Sequence, residues 1–505
     1  MNVLLIFPFS IIEWNNKYEE PRIPLNIAYL GAAARKAGHR VSLLDLRMEQ
    51  QKRSMEVTDS FDKPSVAVLT ELMLERIRRE KVNIVGINCL YSGLFPVVTH
   101  LAGAVKAIDR EIQVVIGGIH PTIYGREILN RFHHLVDFVI AGEGEETFTA
   151  LIAHLENRKS VPLDSIDGLG YVRDGEVVIH PKNQFIEDLD SLAFPAVDLL
   201  GISDYYTDTS GWHSPKNIPI HTPVPILTSR SCPKQCNFCS MHFVHGKHIR
   251  FRSERNVVDE MKRYIDEYNL TYFNITDDNL TINKKRLIRL MNLIVSENLN
   301  IQFSTENGVY ISNLDEEVMD AMSNAGLARL HLAFESGSDY IRNEVIGKNV
   351  YNERIWKIRD VIVKKKYNHI FLYGYFVIGL PEETHETLDE TYRLITQFPL
   401  DNYSLFYAVP FPGTRLYRQC FAEKLFTQDF FYDVNQMVER GDVGQMVKGT
   451  PCIKPYALEV EEVVAFKEQA MAYLKKQREA SPVPPSSPMR YRAGSVLRDS
   501  QQTKD

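Results

Sequence analysis

Three cysteines, Cys232, Cys236 and Cys239, fall in the segment SRSCPKQCNFCS with the spacing C-x3-C-x2-C. Iron–sulfur clusters are held by cysteine thiolates, usually four for a [4Fe–4S] core. Three thiolates leave one iron open, and an open iron can bind a small molecule and act on it. A structural zinc site is the competing reading, because His242, His245 and His248 follow closely. Zinc takes four ligands, typically as paired Cys or Cys/His groups, and no second pair of that kind is present. A purely electron-transferring cluster is a further alternative, and it normally uses a fourth cysteine. The histidines are expected at the surface or facing substrate. The other three of the 6 cysteines, Cys89, Cys420 and Cys452, are scattered and read as buried or incidental thiols. This is no disulfide framework. Clustered thiolates fit a reducing compartment, so a cytoplasmic location is expected.

The cysteine loop opens an alternating series of elements that must position it. Strands are expected at Ile226–Ser229, Tyr272–Thr276, Ile301–Thr305, Arg329–Phe334, Ile370–Val377 and Tyr403–Ala408, with helical patterns between them. Six such units imply a partial (β/α)6 barrel, whose function gathers at the carboxyl ends of its strands. The cysteines lie where that active site should be. Upstream, Val3–Phe7, Val41–Leu44, Ile84–Asn88, Val114–Ile116 and Phe138–Ile140 are short, apolar and β-branched. Strands covered on both faces read this way. With helices expected at Leu25–Lys36, Val66–Arg79, Pro96–Ile108 and Arg126–Phe132, they imply a doubly wound α/β domain. Its ligand sites are the strand ends near Pro8, Cys89–Gly93, Gly117–Thr122 and Gly142–Glu146.

Here the sequence resembles a family. SCPKQCNFCS after a first barrel strand is similar to the radical S-adenosylmethionine superfamily. That resemblance implies that Cys232, Cys236 and Cys239 ligate the cluster. The methionyl amino and carboxylate groups then chelate the open iron, and cleavage of the S–C5′ bond yields a 5′-deoxyadenosyl radical. It implies an adenine-side role for Phe238, and a contact to the methionyl amino group from Asp277 or Asp278 in TDDN. That tetrapeptide departs from the family's Gly-Gly-Glu. Ser304, Glu306, Glu335 and Ser336 are implied cofactor contacts at the ends of the third and fourth strands. Gly379, in FVIGLPEET, is implied beside the adenine.

Upstream, GGIHPT and AGEGEET end two strands of one domain, and PRIPLNIAYLGAAARKAGHRVSLLD lies near its start. Together they resemble the cobalamin-binding domain of class B radical S-adenosylmethionine enzymes. Ser92, Gly117, Gly118, His120, Gly142 and Glu143 are the implied cobalamin contacts. No Asp-x-His-x-x-Gly motif occurs, which implies cobalamin without a histidine lower ligand. The implied fold is an N-terminal Rossmann-like cobalamin-binding domain (1–155), a linker (156–220), a partial radical S-adenosylmethionine barrel (221–415), a mostly helical region (416–480) and a disordered tail (481–505). The implied cofactors are a [4Fe–4S] cluster, S-adenosylmethionine and cobalamin. The implied reaction is methylation of an unactivated carbon of a small molecule through methylcobalamin, with a flavodoxin or ferredoxin as reductant. Oxidative cyclisation, as in the anaerobic magnesium-protoporphyrin monomethyl ester cyclase, and ring rearrangement are the alternatives. A non-enzymatic redox or cobalamin sensor is the rival from another class.

Bulk properties exclude other classes. The chain has 505 residues and a formal net charge of -7, so it lacks the broad basic field of a nucleic-acid binder. No run of 18 apolar residues predicts a membrane span. The start MNVLLIFPFSII lacks the charged n-region of a signal peptide and reads as a buried strand. The linker is punctuated by Pro162, Pro181, Pro195, Pro215 and Pro219, with a small hairpin at Gly168–Ile179. The aromatic stretches Phe406–Thr414 and Phe430–Val434 are candidates for lining a substrate pocket, with core packing as the alternative.

Overall fold

Runs of valine, isoleucine and leucine build the first sheet, because such side chains stand well on a pleated surface buried on both faces. The computed structural model describes residues 1–9, 22–53, 64–156, 161–205, 224–365, 367–428, 433, 435, 436, 438 and 450–480. The chain divides into two units. The first takes Met1–Tyr205, Ser240–Gly246 and Asp429–Lys448, and the second takes Tyr206–Cys239, Lys247–Gln428 and Gly449–Asp505. Pro215 and Pro219, the aromatic residues Phe430, Phe431 and Tyr432, and the tail 481–505 lie outside the described residues.

In the first unit β1 (Asn2–Phe7), β2 (Arg40–Asp45), β3 (Ile84–Asn88), β4 (Gln113–Gly117) and β5 (Phe138–Ile140) run parallel. The spatial order is β2-β1-β3-β4-β5. It reverses direction between β1 and β3, and the crevice at the carboxyl ends there is the expected ligand site of such a sheet. The expected hairpin is β6 (Leu169–Arg173) and β7 (Glu176–Ile179), and it differs from a free-standing linker element. β6 pairs antiparallel with β5 through Phe138↔Tyr171 and Ile140↔Leu169, extending the sheet to seven strands. The helix expected to begin at Arg126 spans Ile119–Phe132. Its first turn is separated from the rest by non-helical backbone at Tyr124, so helical periodicity is legible only beyond that kink. A further helix, Glu145–Glu156, follows β5.

The second unit holds β8 (Val224–Ile226), a two-residue ribbon of β9 (Ser229–Arg230) with β10 (Arg250–Phe251), then β11 (Tyr272–Ile275), β12 (Gln302–Ser304), β13 (Leu327–Glu335), β14 (Phe371–Ile378) and β15 (Asn402–Tyr407). Six of them form one parallel sheet in the order β15-β14-β13-β12-β11-β8, the open barrel that the alternation predicts. β8 stops at Ile226, earlier than expected. Beyond it, the Thr228 amide donates to the Asp277 carboxylate at 2.6 Å instead of to a neighbouring strand.

Side chains alternate along β14 as a strand requires. Phe376 packs with Phe334 and Tyr403, while Tyr373 and Tyr375 stand with His331 on the other face. The C-terminal helix Val460–Ala480 packs on helix His385–Gln397, where Tyr392 meets Phe466 and Tyr473. No helix among the described residues is long and apolar enough to cross a membrane.

Candidate active site at the barrel strand ends

The cysteine loop is clamped at its base before any ligand is considered. Asp277, just past β11, is buried and accepts from Thr228 N (2.6 Å), Thr228 Oγ1 (2.5 Å) and Ser229 Oγ (2.6 Å). Arg286, on helix Lys284–Ser296, donates to the carbonyls of Thr228 and Arg252, each at 2.8 Å. Burial pushes the Asp277 carboxyl above its ordinary value, and the Arg286 charge pulls the other way. Asp278 is only half-buried, and its Oδ2 accepts from Ser231 N at 2.8 Å. Ser231 has φ 76°, a left-handed conformation that an L residue adopts only when its surroundings hold it there. This turn delivers Cys232.

The rest of the loop is tied to later segments of the same unit. Cys239 N donates to Cys236 O at 3.1 Å, closing a tight turn. Asn237 N donates to Ile346 O (2.9 Å), and Asn237 O accepts from Leu416 N (3.0 Å). Arg415 donates to Gln235 O at 2.6 Å. All three cysteines are partly exposed, and Asn279 donates to Cys232 Sγ at 3.3 Å. Burial pushes the Cys236 thiol up to about 12, against a lowering by the Lys348 ammonium. A bare thiol so placed stays protonated, and metal coordination is what removes such a proton. Among the described residues no three His, Cys, Asp or Glu side chains converge tightly on one metal-ion position. A clamped loop at a strand end, carrying three partly exposed thiols with the Lys348 charge acting on two of them, suits an anionic iron–sulfur group.

The other sequence-derived residues fall into two groups. Phe238 is half-buried beside Cys239. Glu306 is partly exposed at the end of β12, 3.7 Å from Arg329. Gly379 has φ 80°, so its loop requires glycine, and its amide donates to Glu383. By contrast Ser304 is buried and donates to Asn274 Oδ1 at 3.2 Å. Ser336 is buried against Thr391 Oγ1 at 3.2 Å. Glu335 is buried and paired with Lys348. Asn279, Lys348 and Arg286 were not singled out from sequence. Asn279 adjoins Asp278 in TDDN and was within reach, whereas nothing local marks Lys348 or Arg286. Of the nearby histidines, His242 and His245 lie on the short helix Met241–His245, which folds with the first unit, and His248 is exposed.

In the first unit, glycines shape the strand ends. Gly118 has φ 120°, and a Cβ there would lie 2.4 Å from Cys89 O. The loops after β3 and β4 are thus in backbone contact, and Cys89 N donates to Gly117 O at 2.7 Å. Leu90, at the tip of the β3 loop, is 45 % exposed, an apolar surface at the switch point. Gly142 has φ 68°, with its amide donating to Thr122 Oγ1 at 2.9 Å. These features fit a large, flat macrocycle resting on strand ends. Two candidates turn away from that surface. His120 is fully buried between Phe95 and Tyr124, its Nδ1 2.8 Å from Ser92 Oγ. Burial lowers its pKa to about 3. Glu143 is buried and accepts from Ile186 N at 2.9 Å.

Comparison with known proteins agrees with this arrangement. The B12 binding domain family matches residues 15–152, and the Radical SAM superfamily matches residues 226–395. An uncharacterized methyltransferase of Pyrococcus horikoshii is 30% identical over 425 residues, covering 84% of each chain. The anaerobic magnesium-protoporphyrin IX monomethyl ester cyclase of Cereibacter sphaeroides is 25% identical, covering 90% of this chain and 67% of the relative. In fold, the radical S-adenosylmethionine methyltransferase TsrM of Kitasatospora setae superposes with a TM-score of 0.64 at 16% identity, over 83% of this chain and 76% of that one. With a doubly wound B12-binding domain and a radical barrel on one polypeptide, the chain belongs to the cobalamin-dependent radical S-adenosylmethionine methyltransferase family.

Proposed function

We propose that the enzyme methylates an unactivated carbon of a small-molecule substrate, with Cys232, Cys236 and Cys239 holding the [4Fe–4S] cluster. The single observation that carries the residue assignment is the position of the three thiols. They sit on one clamped loop at the carboxyl end of β8, where a barrel gathers its chemistry. When bound, the cluster supplies the electron that cleaves S-adenosylmethionine, and cobalamin supplies the methyl group.

The chain's own residues bind, orient and shield. Asp278, half-buried at the end of β11, is the carboxylate for the methionyl ammonium. Asp277 is not, since Thr228 and Ser229 already occupy both its oxygens. Phe238 offers an aromatic face beside the loop, and the Gly379 turn offers backbone without a side chain. Glu306 is the acidic group at the end of β12. Ser304, Ser336 and Glu335 brace the strand ends instead of touching the cofactor. Gly117, Gly118 and Gly142 give cobalamin a close backbone approach. Ser92, His120 and Glu143 brace that surface through their own hydrogen bonds. The reductant is a small one-electron carrier of the flavodoxin or ferredoxin class, and an open cluster favours the reducing cytoplasm.

The test is a reconstituted reaction under reducing conditions. S-adenosylmethionine should yield 5′-deoxyadenosine, S-adenosylhomocysteine and a methylated product by mass spectrometry. Cys232→Ala should abolish cluster assembly and 5′-deoxyadenosine formation while cobalamin still binds. Turnover retained by that variant would refute the assignment.

A further inference from the structure

A lysine ammonium is almost never buried without a partner and a reason. Lys348 is buried, and its Nζ donates to Glu335 Oε1 at 2.5 Å. Glu335 ends β13 in a left-handed conformation, φ 64°. An L side chain stays there only when its contacts over-determine it. The cysteine loop is tied to the same turn. Asn237, the residue after Cys236, donates its amide to Ile346 O, two positions before Lys348, and Lys348 N is itself held by Arg342 O at 3.0 Å. Hydrogen bonds to one segment therefore hold both the thiol loop and the Lys348 backbone, and Glu335 holds the ammonium. The charge of Lys348 acts on the Cys236 and Cys232 sulfurs as well as on Glu335. Burial opposes that charge, and the Glu335 carboxylate foremost holds the Lys348 pKa above the ordinary lysine value.

We propose that Lys348, oriented by Glu335, is a positioning residue whose fixed positive charge raises the reduction potential of the cluster held by Cys232, Cys236 and Cys239. This rests on the cluster assignment above. One-electron reduction adds negative charge to the cluster, and a cation in low-dielectric surroundings stabilises the reduced form. Net charge, hydrogen bonds to sulfur and exposure are the levers that set such potentials. The electron comes from the flavodoxin- or ferredoxin-class donor, and Lys348 neither gains nor loses a proton. Glu335 tunes the effect because it cancels part of the charge that the cluster feels.

The experiment compares midpoint potentials in the full chain, reconstituted with iron and sulfide, by spectroscopic redox titration, with iron and sulfide counted per chain. Glu335→Gln should raise the potential. The double variant Glu335→Gln with Lys348→Met removes both charges without leaving either buried alone. Its potential should fall below that of Glu335→Gln by about tenfold or more in the one-electron equilibrium, about 59 mV. Lys348→Arg keeps the charge and should leave the potential at the unmodified value. Lys348→Gln keeps a donor for Glu335 and serves as a second charge-free variant, so its lower potential decides the matter if the double variant loads poorly. A purely structural role would change cluster content or melting temperature but not the potential of loaded protein. Equal potentials at equal iron content overturn the proposal. An unmodified chain that takes up no cluster overturns the cluster assignment instead.

Discussion

The Asn279 carboxamide donates to the Cys232 sulfur at 3.3 Å, while its own oxygen, buried, makes no hydrogen bond among the described residues. A donor aimed at a ligand sulfur stabilises the thiolate and orients it. Removing such a supporting group costs roughly 10- to 100-fold in metal affinity or activity. Asn279→Ala should therefore lose iron to a chelator at least about tenfold more readily than the unmodified chain. Asn279→Asp, which sets a carboxylate against the thiolate, should do worse. Iron retained during chelator titration reads both.

Asp277 and Asp278 are adjacent and should fail in different ways. Asp277→Asn disturbs three hydrogen bonds in a buried network beside Arg286. It should cost about 3 kcal/mol of stability, as expected when one member of a buried charged network is lost. Asp278→Asn keeps an oxygen for Ser231 N. It should leave the melting temperature close to unchanged and weaken S-adenosylmethionine binding roughly tenfold, the loss of about one charge-assisted contact. Thermal melts and equilibrium binding separate the two.

In the first unit, Gly118 and Gly142 make a graded pair. At Gly118 a Cβ would strike backbone, 2.4 Å from Cys89 O, at φ 120°. At Gly142 it would meet the flexible Lys182 side chain at 2.7 Å, at φ 68°. Gly142→Ala should cost roughly 1–2 kcal/mol, the ordinary left-handed penalty. Gly118→Ala should cost more and abolish cobalamin uptake, because the β3 and β4 loops must separate. Melting curves and the absorbance of bound cobalamin check the order.

Glu383 sets a pH dependence. It is buried, with Oε2 accepting the Gly379 and Leu380 amides, and burial raises its pKa to about 8. Its ordinary value is 4.5. Between these two values the folded chain holds a proton that the unfolded chain has released, so stability falls as pH rises across that window. Glu383→Gln should flatten that slope, with a difference of roughly 1–3 kcal/mol between the acid and alkaline ends. Melting of both proteins at pH 5 and pH 8 measures it. Parallel slopes would mean that the carboxyl is ionised throughout.

Much of the fold was legible because its signals are local. β3 and β5 lie where their apolar runs place them, at Ile84–Asn88 and Phe138–Ile140. The hairpin of β6 and β7 was legible as a hairpin. Its membership of the first sheet was not, because pairing with β5 depends on residues some 30 positions apart. The helical turn that follows Gly118 was not legible, because the Tyr124 backbone interrupts the helical period.

By itself the sequence determined the thiol spacing, the two alternating series and the glycines at strand ends, since covalent order and periodicity are read along the chain. Tertiary structure alone decided which polar groups remain for a ligand. It turned Asp277 into a clamp on Thr228, directed His120 into the core, and closed Ser336 against Thr391. It also carried Lys348 to the thiols through Ile346 and Asn237. Burial and hydrogen-bond partnership arise from contacts between distant segments, so residue type and spacing name the candidates while packing assigns their roles.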